Sequence, residues 1–240
     1  MKRYLSFLLL IILVFGACSK NKVEITTEQK LAMADNYYGN GKYAKAAVLY
    51  DEISFERKSA ATAYATMRLA DSYFAMNKFT DARLKYQQFI DGFPDHSNAA
   101  DAYFRIALCL FEESAKPSLD QTETVEAIEA FGVFLERFPN DSRYPRALEY
   151  VRRAQYKLIE KKYQNGYIYY KMKDYSAALM YFDEVIALGN TDALDRKSLY
   201  YSALLHQHQK NHEAANEAFM RLKSRYPGSK EVKKLERRFD

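Results

Sequence analysis

Apolar residues recur along this chain at spacings of three and four, the rhythm of helices with one buried face, and no stretch alternates in the two-residue rhythm of a strand. One pattern returns again and again: an aromatic residue, two others, Ala, three others, an aromatic. Tyr43, Ala46 and Tyr50 carry it first. It returns as Phe79, Ala82 and Tyr86, as Tyr175, Ala178 and Phe182, and as His212, Ala215 and Phe219, with Thr124, Ala127 and Phe131 a weaker copy. In three copies an aromatic–Pro pair follows at a fixed offset: Phe93-Pro94, Phe138-Pro139 and Tyr226-Pro227. Upstream of the Ala a small residue stands at another fixed offset (Ala34, Ala70, Gly166, Ala203), with Tyr37, Tyr73, Tyr169 or His206 three positions later. Ala107 and Phe111 form the corresponding, displaced pair of the middle copy. The pattern predicts antiparallel helix pairs. Small residues let the backbones approach where helices cross, aromatic rings supply the buried area, and Pro ends each second helix.

This arrangement resembles the tetratricopeptide repeat (TPR). The expected fold is all-α, a right-handed superhelical solenoid of about five TPR-like helix pairs over residues 26–228. The anchoring Ala residues stand 36, 45, 51 and 37 apart, against a repeat of about 34. The excess of 45 falls on an insertion around Lys116 to Asp120. The excess of 51 falls before Gly166, where Tyr144 to Met172 contains no breaker after Pro145. That stretch predicts one long first helix or two stacked end to end. Residues 229–240, with Val232, Leu235 and Phe239 at helical spacing, read as a capping helix for the open end of the core. Its Lys230, Lys233, Lys234, Arg237 and Arg238 fall mostly on the other face, which reads as solvated.

The first residues change the picture from a bare solenoid to an anchored one. Lys2 and Arg3 precede an apolar run from Leu5 to Phe15, too short to span a bilayer, and Gly16, Ala17 and Cys18 follow. Phe15-Gly16-Ala17-Cys18 resembles the bacterial lipobox, with Phe15 where Leu is usual. The expectation is a signal peptide over 1–17, acylation of Cys18, and a lipidated tether over 18–25. Two or three acyl chains on one Cys suffice for stable anchoring. Ser19, rather than Asp, points to the outer membrane, with the protein on its periplasmic face. Cleavage would lower the formal charge from +5 to +3, a modest balance and not a nucleic-acid footprint. With Cys18 acylated, Cys109 has no partner for a disulfide.

No catalytic constellation stands out, and neither an enzyme nor a cofactor is expected. His208 and His212 share a helical face, but no Cys or other His completes a metal site. Cys109 lies between Leu108 and Leu110 and reads as an inert core thiol.

Residues 116–124 (Lys-Pro-Ser-Leu-Asp-Gln-Thr-Glu-Thr) resemble the BamD family, most specifically in the string from Asp120 to Thr124. The aromatic–Pro ends at 93–94 and 138–139 and the long helix after the third repeat agree. Locally the string also reads as a helix start, with Asp120 and Glu123 in a capping box. The resemblance implies a lipoprotein scaffold of the outer-membrane β-barrel assembly (BAM) complex. Such a scaffold binds the periplasmic POTRA domains of the BamA-like barrel subunit and receives signal segments of unfolded outer-membrane proteins. The fourth and fifth repeats depart from the family in their many Tyr residues and in lacking a Pro after Leu188.

First helices of a TPR solenoid line its concave face. Concave candidates are Glu28, Leu31, Asp35 and Tyr38, then Tyr64, Met67, Asp71 and Phe74, then Asp101, Phe104, Leu108 and Glu112. Among these, Tyr38, Tyr64, Met67, Asp71, Phe74 and Phe104 are the candidates for a peptide groove; packing between helices is the alternative for each. Tyr163, Tyr167, Tyr170 and Tyr200 occupy the equivalent stretch of later repeats and are candidates for docking a partner domain. Two other functions fit a TPR lipoprotein: a scaffold in peptidoglycan or cell-division organisation, and a carbohydrate binder of the SusD type. The second is disfavoured because the chain has no Trp.

Overall fold

The computed structural model describes residues 25–239. The signal peptide, Cys18 and most of the tether lie outside them. Eleven α-helices and no strand occur among the described residues. They are α1 (Thr27–Gly39), α2 (Tyr43–Ser54), α3 (Ala60–Ala75), α4 (Phe79–Gly92), α5 (Ala99–Glu113), α6 (Thr122–Arg137), α7 (Tyr144–Met172), α8 (Tyr175–Ala187), α9 (Ala193–His208), α10 (His212–Arg225) and α11 (Lys230–Phe239).

The predicted pairs form as the sequence requires. Ala34, Ala46, Ala70, Ala82, Ala107, Ala127, Ala178, Ala203 and Ala215 are all fully buried, as is Gly166's neighbour Phe182. Helices α4, α6 and α10 stop at Gly92, Arg137 and Arg225, and Phe93, Phe138 and Tyr226 then cap them before the Pro. Every pair except the third, which carries the insertion, turns through a left-handed residue five positions before the anchoring Ala: Gly41 (φ 71°), Asn77 (57°), Lys173 (66°) and Lys210 (60°). Only the first of these is the residue that adopts this conformation without steric cost.

Packing is sequential. Each helix rests mainly on its predecessor and successor, and α1 also touches α3, α5 touches α7, and α7 touches α9. The first helices of successive pairs therefore approach one another along one side. Five buried clusters follow in series, from the one around Ala34, Tyr50 and Leu69 to the one around Leu199, Leu222 and Leu235. This is the quasi-one-dimensional core of a TPR-like solenoid.

The stretch from Tyr144 to Met172 is a single helix of 29 residues, about 43 Å long at 1.5 Å per residue. Its first half closes the third core: Tyr150 stacks on Phe131 at 5.2 Å and meets Phe111 edge-on at 4.9 Å. Its second half opens the fourth repeat through Gly166. At the far end α11 packs on α9 and α10, with Val232 and Leu235 buried and the five basic side chains of the segment exposed.

The capping box expected from Asp120 and Glu123 does not form. Helix α6 begins at Thr122, with Gln121 at the cap and no side-chain cap bond. The Gln121 amide is buried, donating to the carbonyls of Lys116 (2.8 Å) and Asp120 (2.9 Å), while its oxygen accepts from the Thr124 hydroxyl at 2.8 Å. Gln121 thus plugs its own loop, and the Asp120 carboxylate accepts the Thr122 backbone N–H at 2.9 Å.

Candidate functional site

The face built by α1, α3 and α5 carries a ladder of alternating charges and rings. Asp35 and Asp71 each follow the small residue of their helix. Each accepts a hydroxyl from the ring that ends the consensus of its own second helix: Tyr50 to Asp35 at 2.5 Å and Tyr86 to Asp71 at 2.7 Å. Both rings are fully buried, so a phenol tip reaches the groove from beneath. Burial, and then the carboxylate, hold both phenols far above the ordinary range. They stay protonated and serve as fixed donors.

Above them, Tyr64 also donates to Asp35 at 2.9 Å. The Arg68 guanidinium lies 3.7 Å from the centre of the Tyr38 ring and pairs with Asp71 at 3.3 Å. Arg105 repeats the motif, 5.6 Å from the Phe74 ring and 3.7 Å from Asp101. Asp101 also pairs with Arg143, which is held by Asp141 at 2.7 Å. Partly exposed carboxylates, guanidinium groups and ring faces thus run along the first helices from α1 to the start of α7. Such a surface can hydrogen-bond an extended chain and hold its side chains against ring faces.

The sequence candidates divide. Tyr64 is exposed, and Tyr38, Asp71 and Phe74 are half-buried in the ladder. Met67 and Phe104 are corrected as exposed positions, being 5% and 3% exposed. Met67 packs in the core of Ala82 and Tyr86. Phe104 packs among Phe131, Phe134 and Tyr150. They shape the groove from below. Sequence reading missed Arg68, Arg105 and Arg143. The first two carry a signal, since each stands two residues before the small residue of its helix.

Tyr163, Tyr167, Tyr170 and Tyr200 come together in one half-buried cluster whose centre is a residue not singled out beforehand, Tyr201. It lies 4.8 Å from Tyr170, 5.6 Å from Tyr167, 5.2 Å from Tyr200 and 5.3 Å from Phe182, stacked on the last. A cleft of about 270 Å³ opens beside it, with Lys197, Lys230 and Lys234 on its walls.

Cys109 is fully buried, and burial pushes its thiol up to about 12, so it is no nucleophile at neutral pH. Among the described residues no group of three or more His, Cys, Asp or Glu could hold a metal, and no helix is long and apolar enough to cross a membrane.

Comparison with known proteins gives the following. A solved TPR domain of P58(IPK) is 16% identical over 88% of this chain and 65% of its own, with a TM-score of 0.42. A Podosopora anserina kinesin light chain with nearly identical TPR-like repeats is 13% identical, over 82% and 93%, at 0.37. A thermophilic TPR protein of Thermus thermophilus is 13% identical, over 89% and 97%, at 0.36. These distant likenesses carry no further argument. No curated protein matches. A tetratricopeptide-repeat model matches residues 197–229, and the model of the YfiO outer membrane lipoprotein family matches residues 33–190. The latter spans the groove, the insertion, the long helix and the start of the tyrosine cluster: this chain belongs to the YfiO family of outer membrane lipoproteins.

Proposed function

We propose that this protein is the lipid-anchored scaffold of an outer-membrane β-barrel assembly complex. It binds the POTRA domains of a BamA-like subunit and the signal segments of unfolded outer-membrane proteins. The family match over residues 33–190 carries this reading. The ladder of Tyr38, Tyr64, Arg68, Asp71, Phe74 and Arg105 suits an extended segment ending in an aromatic residue, since it offers ring faces beside guanidinium groups. The tyrosine cluster around Tyr201 suits a folded domain, because half-buried Tyr residues offer apolar area and a hydrogen-bonding tip together.

Depletion of the protein should lower the levels of outer-membrane barrels, and affinity capture should copurify the BamA-like subunit. Unchanged barrel levels, with wall-synthesis enzymes captured instead, would assign the scaffold to peptidoglycan or cell division. The anchor has its own check. Cys18→Ser should leave the chain unprocessed or soluble in cell fractionation, because the acyl chains supply about 0.8 kcal/mol per buried CH₂. Normal outer-membrane fractionation of that variant would remove lipidation of Cys18.

A further inference from the structure

The insertion between α5 and α6 builds a second cavity, apart from the groove and from the tyrosine cluster. It has a volume of about 680 Å³ and is lined by the end of α5, the loop and the middle of α7. This lies within the roughly 300–1,000 Å³ of pockets that hold ligands. It exists because α7 is shared: its first half closes the third core, its second half opens the fourth, and the loop covers the span between.

The loop is fixed in place. Lys157 donates to the Ser114 hydroxyl at 2.6 Å and to its carbonyl at 3.3 Å, and Lys161 donates to the Leu119 carbonyl at 2.7 Å. Phe111, Pro117 and Tyr156 give the walls apolar surface. Three cations face the space: Arg152, Arg153 and Lys157. Arg153 is held 4.9 Å from the Phe111 ring and 5.3 Å from that of Tyr150; Lys157 lies 5.3 Å from Phe111. Among the described residues none of the three has a carboxylate within ion-pair distance, whereas Arg68, Arg105 and Arg143 in the groove all do. Burial, and then the charge of Arg153, hold the Lys157 ammonium below its ordinary range, against the opposing pull of the Glu112 carboxylate. Glu112 and Glu160 also line the cavity.

We infer that this cavity is a second docking site of the scaffold, taking a short acidic and aromatic segment of a partner polypeptide. Its carboxylates would face Arg152, Arg153 and Lys157, and a ring or branched side chain would lie against Phe111, Tyr156 and Pro117. Glu112 and Glu160 would accept backbone N–H groups of the same segment. The mixture of cations, carboxylates and ring walls matches a polypeptide better than a phosphate group, which has neither an N–H donor for the two glutamates nor apolar surface for the rings. The chain's own tether fits the charge poorly, since Lys20 and Lys22 outnumber the one carboxylate, Glu24, over residues 18–24. The inference rests on the scaffold reading, but its test uses the purified chain and is independent of barrel levels.

The probe is a fluorescein-labelled decapeptide alternating Glu or Asp with Phe or Leu, titrated by fluorescence polarisation against the mature chain. Arg152→Glu, at an exposed side chain with no ion-pair partner among the described residues, should weaken binding about tenfold, the size of one lost charge contact. Arg153→Gln should weaken it in the same direction. Arg57→Glu, the same charge reversal at an exposed position between α2 and α3 and outside every site described, should leave it unchanged, and binding should fall as salt screens the charges. A Lys-for-Glu version of the peptide should not bind. The inference is overturned by equal binding of the Lys version, by insensitivity to both Arg substitutions, or by an equal loss with Arg57→Glu. Arg152-dependent binding of vesicles containing anionic lipid, without binding of the peptide, would assign the cavity to a membrane surface and overturn it too.

Discussion

Asp195→Ala should lower the unfolding free energy by about 3 kcal/mol, the lower end of the cost of breaking a buried ion pair. Asp195 stands in the first turn of α9 and is fully buried. Both its oxygens accept from Arg225, at 3.2 and 3.1 Å, and one accepts the Tyr226 hydroxyl at 2.7 Å. Those two partners end α10 and precede Pro227, where the chain turns into α11. One carboxylate therefore ties the start of the last first helix to the end of its second helix and to the entry of the terminal one. The helix N-terminus favours negative charge at that position. Without the carboxylate, the Tyr226 hydroxyl and the guanidinium lose their acceptor in a water-poor place. Arg225 keeps 26% of its side chain in water, which holds the cost near the lower bound. For a chain of this size the melting temperature should fall by about 6–12 °C. Asp195→Asn retains an acceptor for Tyr226 and should lose less. Hydrogen exchange should place the added opening in α9 to α11, as the one-dimensional core predicts. A melting temperature within about 1 °C of the parent would show that the pair contributes no net stability.

The fold was legible because the chain states its plan several times. Ala46, Ala82, Ala178 and Ala215 mark the same crossing, and each copy checks the others. A further regularity went unread. The two repeats whose second helix ends its consensus in Tyr (Tyr50, Tyr86) are the two with Asp after the small residue (Asp35, Asp71). The other three end in Phe131, Phe182 and Phe219 and have Leu108, Tyr167 and Leu204 there. A hydroxyl reaching the groove needs an acceptor, and a bare ring does not, so the internal covariation announces the contact. The exposure of Met67 and Phe104 was not legible from spacing. Helical side chains tilt toward the N-terminus, and one stripe of positions holds both groove-facing and core-facing residues. The role of Gln121 was hidden for another reason: its partners are carbonyls of a loop whose path no local pattern dictates.

Gly166→Leu should destabilise the protein by about 3 kcal/mol or more through overpacking at the centre of the fourth repeat. The glycine sits inside the long helix α7, where Ala would ordinarily stabilise by about 1 kcal/mol. Its backbone, however, lies against α8. A Cβ added there would stand 2.9 Å from Phe182 Cε1 and 3.1 Å from Tyr181 Cβ. Phe182 is fully buried and stacked on Tyr201, so its ring has no open space to move into. For Gly166→Ala the two terms nearly meet: the helix gains about 1 kcal/mol and the contact costs about 1–3 kcal/mol, leaving a net loss of at most about 2 kcal/mol. For Leu the helical gain is no larger, and three more carbons must enter the same contact. Thermal melts should therefore rank parent, Ala and Leu in that order, with the Leu variant about 6–12 °C below the parent. The Tyr163, Tyr167, Tyr170 and Tyr201 cluster packs on the same ring, so the displacement should reach that tyrosine surface as well. If Gly166→Leu melts with the parent, α7 and α8 do not approach as closely as this crossing requires, and the fourth repeat is not built as described.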